Sequence, residues 1–296
     1  MTDSDMLRGV FTALITPMNE DGLDIPAYEA LIDWQIEQGV SGLVPCGTTG
    51  ESPTLTHEEH KQLIEIAVKV AKGRTHIMAG VGSNATAETL DLIQYAQKAG
   101  ADSALVVSPY YNKPNEAGQC AHYQAVAHAT DLPVIIYNIP GRSVIDITDD
   151  TLLKIADMCP NVIGVKDATG DLARVATLKH RAGDRLALLS GEDMTALAFN
   201  ALGGQGCISV SANAAPAECA ALQTASLNFD YRKAQDIHNK LVNLHEAMFC
   251  ETSPAPVKYA LSRMGKCENL LRLPLVPAGD IACERMDIAL FELGII

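Results

Sequence analysis

Lys166 closes the apolar run Val162-Ile163-Gly164-Val165 and is followed at once by Asp167-Ala168-Thr169-Gly170. An apolar, β-branched run of this length reads as a buried strand, and Asp/Thr/Gly read as the turn that ends it. A lysine at that junction keeps its stem in a core and its amine at the carboxyl end of the strand. Burial disfavours an ammonium ion, and a neutral amine attacks a carbonyl carbon. Lys166 is therefore a candidate Schiff-base nucleophile. The plainer reading is a strand-end lysine that snorkels to solvent or pairs with Asp167.

Other polar clusters share that setting. The segment Cys46-Gly47-Thr48-Thr49-Gly50-Glu51 places glycines around two threonines, so main-chain N–H groups can converge on an anion with hydroxyls beside them; an ordinary turn using glycine for backbone freedom is the competing reading. The run Tyr137-Asn138-Ile139-Pro140-Gly141-Arg142 ends another strand. Tyr137 there offers a phenol for proton transfer, or simply amphipathic packing. Arg142 offers a fixed fork for a carboxylate, or a solvated loop charge. Pro109-Tyr110-Tyr111-Asn112-Lys113-Pro114 sets two adjacent tyrosines on a proline-bounded loop, pointing to opposite sides. An amine, a phenol, hydroxyls and two anion sites are what a class I aldolase acting on a 2-oxo acid needs: the amine forms an iminium with the ketone, a methyl proton is lost, and the enamine attacks an aldehyde.

These residues need a scaffold that gathers strand ends. Apolar runs recur at 10–15, 42–45, 76–80, 103–107, 134–137, 162–166, 186–189 and 205–209, with helical patterns such as 58–71 and 87–99 between them. Thr56-His57-Glu58-Glu59 is a capping box at the start of the first of these. Eight strand–helix units predict an α/β fold, a (β/α)8 TIM barrel whose chemistry lies at the carboxyl ends of its strands. A doubly wound open sheet competes, without the Gly-x-Gly-x-x-Gly turn it would favour. Beyond Ser209 the pattern turns helical, interrupted at Ser253-Pro254-Ala255-Pro256 and near Pro274 and Pro277. The expected division is a catalytic barrel over 1–228 and a C-terminal α-helical extension over 229–296.

Composition narrows the setting. The 296 residues, 48% of them hydrophobic, suffice for one large core or two modest ones. No apolar stretch reaches the ~18 residues of a membrane span. The start Met1-Thr2-Asp3-Ser4-Asp5 is acidic and unlike a signal peptide. Eight scattered cysteines without a Cys-x-x-Cys pair suit reduced thiols better than disulfides or a zinc site, so a cytoplasmic location is expected. A net charge of −14 argues against nucleic-acid and anionic-membrane partners.

Gly47-Thr48-Thr49-Gly50-Glu51, Tyr137-Asn138-Ile139-Pro140-Gly141-Arg142 and Val165-Lys166-Asp167 resemble the signatures of the dihydrodipicolinate synthase/N-acetylneuraminate lyase family. The resemblance runs from Gly9-Val10-Phe11-Thr12-Ala13 through Pro256-Val257-Lys258 to the last helices. It implies a barrel with a helical tail, no metal, no cofactor, and a Schiff base to pyruvate on Lys166. By position it makes Tyr137 the central relay phenol, with Thr48 and Tyr111 completing the relay and Tyr111 reaching a partner subunit's site. Thr49, Gly191 and the backbone near Ile208 would hold the pyruvyl unit. Arg142 resembles the synthase branch's ligand for the carboxylate of L-aspartate 4-semialdehyde, the entry to the diaminopimelate route to lysine. Another pyruvate-dependent lyase, acting on a sialic acid or a 2-oxo-3-deoxy sugar acid, is the alternative. A homo-oligomer is implied, commonly a tetramer built as a dimer of dimers. Ser253 and Pro53 depart from the commonest choices near these motifs and are expected not to touch the chemistry.

His57 and His60 share a helix face, as do Asn84 and Glu88. With Ser52 and Tyr110 they resemble the site where L-lysine inhibits many synthases, an end-product effector coupled through Tyr110 to the neighbouring Tyr111. The plainer reading leaves the histidines solvated and Glu88 supporting its own helix. Three rivals of other classes stand beside the aldolase. Gly203-Gly204-Gln205-Gly206 suits a phosphate-binding barrel isomerase, a lysine Schiff base also suits a pyridoxal-phosphate enzyme, and a barrel that had lost its chemistry would suit an amino-acid sensor.

Overall fold

A computed structural model describes residues 6–296; the acidic start Met1–Asp5, on which the expected lack of a leader rested, lies outside the described residues. Eight parallel strands close into a barrel: β1 Gly9–Ala13, β2 Gly42–Val44, β3 His76–Gly80, β4 Ser103–Val107, β5 Val134–Asn138, β6 Val162–Asp167, β7 Ala187–Ser190 and β8 Gly206–Ser209. Helices α1 Ile25–Glu37, α2 His57–Ala71, α3 Thr86–Ala99, α4 Glu116–His128, α5 Asp149–Met158, α6 Leu172–Ala182, α7 Ala196–Ala201 and α8 Pro216–Leu227 follow the strands in turn. Three longer-range elements, α9 Tyr231–Met248, α10 Ala255–Arg263 and α11 Asp280–Glu292, complete the chain. Pro254 caps α10, Pro256 sits in its first turn, where no N–H is needed, and Pro274 and Pro277 fall between α10 and α11.

The strands alternate between two cores because successive side chains point to opposite faces. Phe11, Met78, Leu105, Ile135, Ala187, Leu189 and Ile208 fill the barrel interior. Their neighbours Val10, Ile77, Val106, Ile136 and Leu188 pack outward under the helices. In α2 the buried residues Leu63, Ile64, Ala67 and Ala71 share one face. Its N-terminus carries the expected capping box: Thr56 Oγ1 accepts from Glu59 N–H, and Glu59 accepts from Thr56 N–H. Such a cap is worth about 1 kcal/mol. Leu241, Leu244, Met248, Leu261, Met286 and Leu290 of the last helices join the same outer core as the barrel.

Some strand limits differ from the apolar runs, for hydrogen-bonding reasons. The first run loses the ladder after Leu14, where the Ile15 N–H donates to the Asn213 side chain instead of a strand. Pro45 has no N–H to donate, and β2 stops at Val44. A short antiparallel ribbon, Met18–Asn19 with Gly22–Leu23, was not expected. Gly203-Gly204-Gln205-Gly206 is not an anion cradle at the strand ends. It precedes β8, and a Cβ on Gly206 would lie 2.1 Å from the Gly9 carbonyl, so glycine is needed there for close packing with β1.

Candidate active site

The facing of Lys166 depends on an irregularity in β6. Strand β5 pairs Val134 with Val162, but the next pair is Ile135 with Gly164, so one extra residue is inserted in β6. Residues in register share a face. Val162 therefore goes outward with Val134, whereas Lys166 goes inward with Tyr137. Without the bulge the two even-numbered positions would point the same way, and the lysine would face the helices. Instead its side chain is 6% exposed, with Nζ 4.1 Å from the centroid of the Tyr137 ring.

Lys166 does not pair with Asp167. The carboxylate of Asp167 points away, accepting from Thr169 N–H and Oγ1 at 2.8 and 2.6 Å and lying 3.3 Å from Arg174 Nε. Among the described residues no carboxylate forms an ion pair with Lys166. The plainer reading of this lysine is thereby removed.

Thr48 and Tyr137 line one small cavity at the barrel mouth, together with Ser52 and Gly82. In the turn after β2, the N–H groups of Gly50, Glu51 and Ser52 fold back on the Gly47 and Thr48 carbonyls. Those of Thr48 and Thr49 take no part in these main-chain bonds. Thr49 is buried, Ile208 lies in the barrel interior, and Gly191 N–H donates to the Asp167 carbonyl at 2.7 Å. A Cβ on Gly191 would meet that of Ala168 at 2.7 Å, so the chain after β7 can approach the end of β6 only with glycine there.

A second cavity of about 200 Å³ adjoins the first and is lined by Thr48, Tyr110 and Arg142. Arg142 is exposed, and its Nη2 donates to the Ser253 carbonyl at 3.2 Å. It has no acidic partner among the described residues, which leaves its charge for an anion. Ser253 thus does bear on the site, through its main chain. Tyr111 stands apart: it is 86% exposed, on a backbone with φ of 71°.

A third cavity of about 250 Å³ gathers Ser52, His57, His60, Glu88 and Tyr110. Asn84 is not among its walls; its carbonyl accepts from the Asn112 side chain. The two histidines differ. His57 is exposed, 3.9 Å from Glu88. His60 is buried, its Nε2 bonded to the Gly80 carbonyl at 2.7 Å, and burial lowers its pKa below the usual imidazole value. The plainer reading of two solvated histidines therefore fails at His60, because the face of α2 that carries it packs on β3.

Two carboxylates escaped the sequence reading. Asp193 is buried and accepts from Ser209 Oγ at 2.5 Å and from the N–H groups of Val210 and Ser211, fixing the end of β8. Glu192 lies beside it; burial first and Asp193 second raise its carboxyl above the usual range, while the Met194 N–H and Lys166 pull it down. Ser190-Gly191-Glu192-Asp193 at a strand's carboxyl end was the available signal.

The model of the dihydrodipicolinate synthetase family matches residues 6–290. A 4-hydroxy-tetrahydrodipicolinate synthase of Parvibaculum lavamentivorans is 53% identical, over 98% of this chain and 100% of its own. Among solved structures, a chloride-inhibited dihydrodipicolinate synthase from Acinetobacter baumannii complexed with pyruvate superimposes with a TM-score of 0.95 at 43% identity, covering 98% of this chain and 99% of that one. The Cyanidioschyzon merolae enzyme with lysine bound gives 0.95 at 35% identity, again over 98% and 99%.

Proposed function

The chain belongs to the dihydrodipicolinate synthetase family, and on that premise we propose that its geometry serves the condensation of pyruvate with L-aspartate 4-semialdehyde to 4-hydroxy-tetrahydrodipicolinate, in lysine biosynthesis. The observation that carries the reading is Lys166: buried at the barrel mouth, without an acidic partner among the described residues, and against the ring of Tyr137.

The pyruvate carboxylate is held by the Thr48 and Thr49 N–H groups, with Gly191 and the backbone at Ile208 closing the other side. The Lys166 amine attacks the ketone, and loss of water gives the iminium. Removal of a methyl proton then gives the enamine, whose carbon attacks the aldehyde. The amino group of the semialdehyde next adds to the iminium carbon so formed and expels the Lys166 amine, which closes the ring and frees the enzyme. Tyr137 carries protons in these steps. Thr48 and Tyr111 link it to solvent, Tyr111 being supplied by a partner subunit, a role its high exposure on its own subunit supports. Positioned acid–base groups of this kind contribute about 10²–10⁴-fold each.

Arg142 binds the carboxylate of the semialdehyde, for which its unpaired guanidinium is suited. The third cavity takes L-lysine as an effector, Glu88 meeting its ammonium, and Tyr110 forms the wall shared with the Arg142 cavity. The chain is read as a barrel over 1–228 and a helical domain over 229–296. It works as a homo-oligomer, a dimer that exchanges Tyr111 and pairs into a tetramer, in the cytoplasm. Among the described residues no helix is long and apolar enough to cross a membrane.

The test is turnover of pyruvate with L-aspartate 4-semialdehyde and, separately, with uncharged N-acetyl-D-mannosamine. Condensation with the semialdehyde is expected, and a clear preference for the amino sugar would contradict the synthase reading.

A further inference from the structure

Glu51 ends the turn that carries Thr48 and Thr49, and it is tied to a distant part of the chain. Its N–H donates to the Thr48 carbonyl at 3.1 Å, and its own carbonyl accepts from the Thr54 N–H and Oγ1, on a left-handed backbone with φ of 57°. Its carboxylate is wholly buried. Oε1 lies 2.5 Å from the Nζ of Lys258, equally buried, and Oε2 accepts from the Arg272 N–H at 3.1 Å. Lys258 also donates to the Leu270 carbonyl at 2.7 Å. The Arg272 side chain returns to the same loop, donating to the Thr54 carbonyl at 3.0 Å and through two nitrogens to Glu59. Glu59 is the capping residue of α2 and is held below the usual carboxylate range, to about 2, chiefly by that arginine.

Two residues of the segment 258–272, Lys258 and Arg272, thus grip three residues of the segment 51–59, namely Glu51, Thr54 and Glu59. A buried ion pair is a poor source of stability, because desolvating both charges offsets most of their attraction. It is a good source of fixed geometry, since neither partner can move without leaving a charge unpaired. The residues fixed here are not those of a remote surface. Glu51 is separated only by Gly50 from Thr49, whose amide is assigned to the pyruvate carboxylate, and Thr16 Oγ1 holds the Gly50 carbonyl at 2.7 Å.

We propose that Glu51 is a positioning residue of the pyruvate site: paired with Lys258, it transmits the placement of the C-terminal segment to the Thr48–Thr49 turn. The inference rests on the proposed role of that turn in holding pyruvate. It assigns the C-terminal helices a part in substrate binding as well as packing.

The test is E51D, which keeps the charge and shortens the strut by one methylene. Displacements of about 1 Å at a binding turn cost up to roughly 10²-fold. The expected result is a pyruvate KM raised about tenfold, with the semialdehyde KM within about twofold of wild type and the thermal midpoint nearly kept. The rate of borohydride trapping at sub-saturating pyruvate falls in parallel. An unchanged pyruvate KM in folded E51D would overturn the proposal. Should E51D not fold, the charge-free pair E51Q/K258M, which buries no unpaired charge, is measured in the same way with the same two outcomes. Failure of both to fold also overturns it, since the pair would then be a requirement of the fold rather than a device acting on one substrate. Wild-type protein that forms no pyruvate adduct would instead defeat the underlying assignment of function.

Discussion

The barrel mouth and the cavity beside α2 share Ser52 and Gly82 as walls, yet their polar groups are in opposite states. At the mouth, Lys166 has an aromatic face beside it and no acidic partner among the described residues, and the Thr48 and Thr49 amides are not spent in their own turn. In the side cavity, His60 is committed to the Gly80 carbonyl, and Glu88 accepts from Ser83 Oγ at 2.6 Å while facing His57. Uncommitted groups can change partners during a reaction. Committed ones can recognise a ligand and hold a shape, but they have little left to do chemistry with. The difference suits the proposed reacting site at the mouth and the proposed effector site beside α2.

The strongest way to break the comparison is to remove the amine. Lys166→Arg keeps a cation but loses the nucleophile, and kcat is expected to fall at least about 10⁴-fold in a steady-state assay. Tyr137→Phe keeps the ring against Lys166 and removes only the proton carrier. A fall of roughly 10²–10⁴-fold in kcat is expected; a loss of less than about tenfold would leave the phenol as packing. Arg142→Ala deletes one charged hydrogen-bonding group worth about 1.5–3 kcal/mol, so the semialdehyde KM should rise about 10- to 100-fold while the pyruvate KM stays put.

The side cavity sharpens the contrast with smaller effects. Glu88→Ala is expected to leave uninhibited turnover unchanged and to weaken inhibition by L-lysine about tenfold, as for loss of one charged hydrogen bond. Equal inhibition of both proteins would remove this cavity as the lysine site. His60 gives the smallest signal. Its pKa is lowered in the folded protein, so below the unfolded value near 6.5 the unfolded chain binds a proton that the folded chain does not. Stability is therefore lost as pH falls from that value, by up to about 1.4 kcal/mol per pH unit for one such group. Urea midpoints should fall less steeply with acidity in His60→Gln than in wild type.

Much of this was legible from local patterns. Alternating strands, the capping box at Thr56 and the strand-end positions of Lys166 and Tyr137 are properties of short segments, and short segments follow rules of period and capping. What was not legible depends on pairing across the chain. The bulge in β6 that turns Lys166 inward exists only relative to β5, and residue alternation read from Val162 alone gives the wrong face. The burial of His60 is set by β3, not by α2. Lys258 and Glu51 meet only after the C-terminal helices fold back on the barrel, so neither flank marks the other. Asp193 acquires its role only through its three hydrogen bonds to 209–211, which no local pattern marks.

The central claim is that Lys166 is the covalent centre. It is tested most directly by borohydride reduction of the active, folded protein with and without pyruvate, followed by peptide mass mapping. The expected result is a reduced adduct that requires pyruvate and maps to Lys166 alone. No adduct, or one on another lysine, would contradict it.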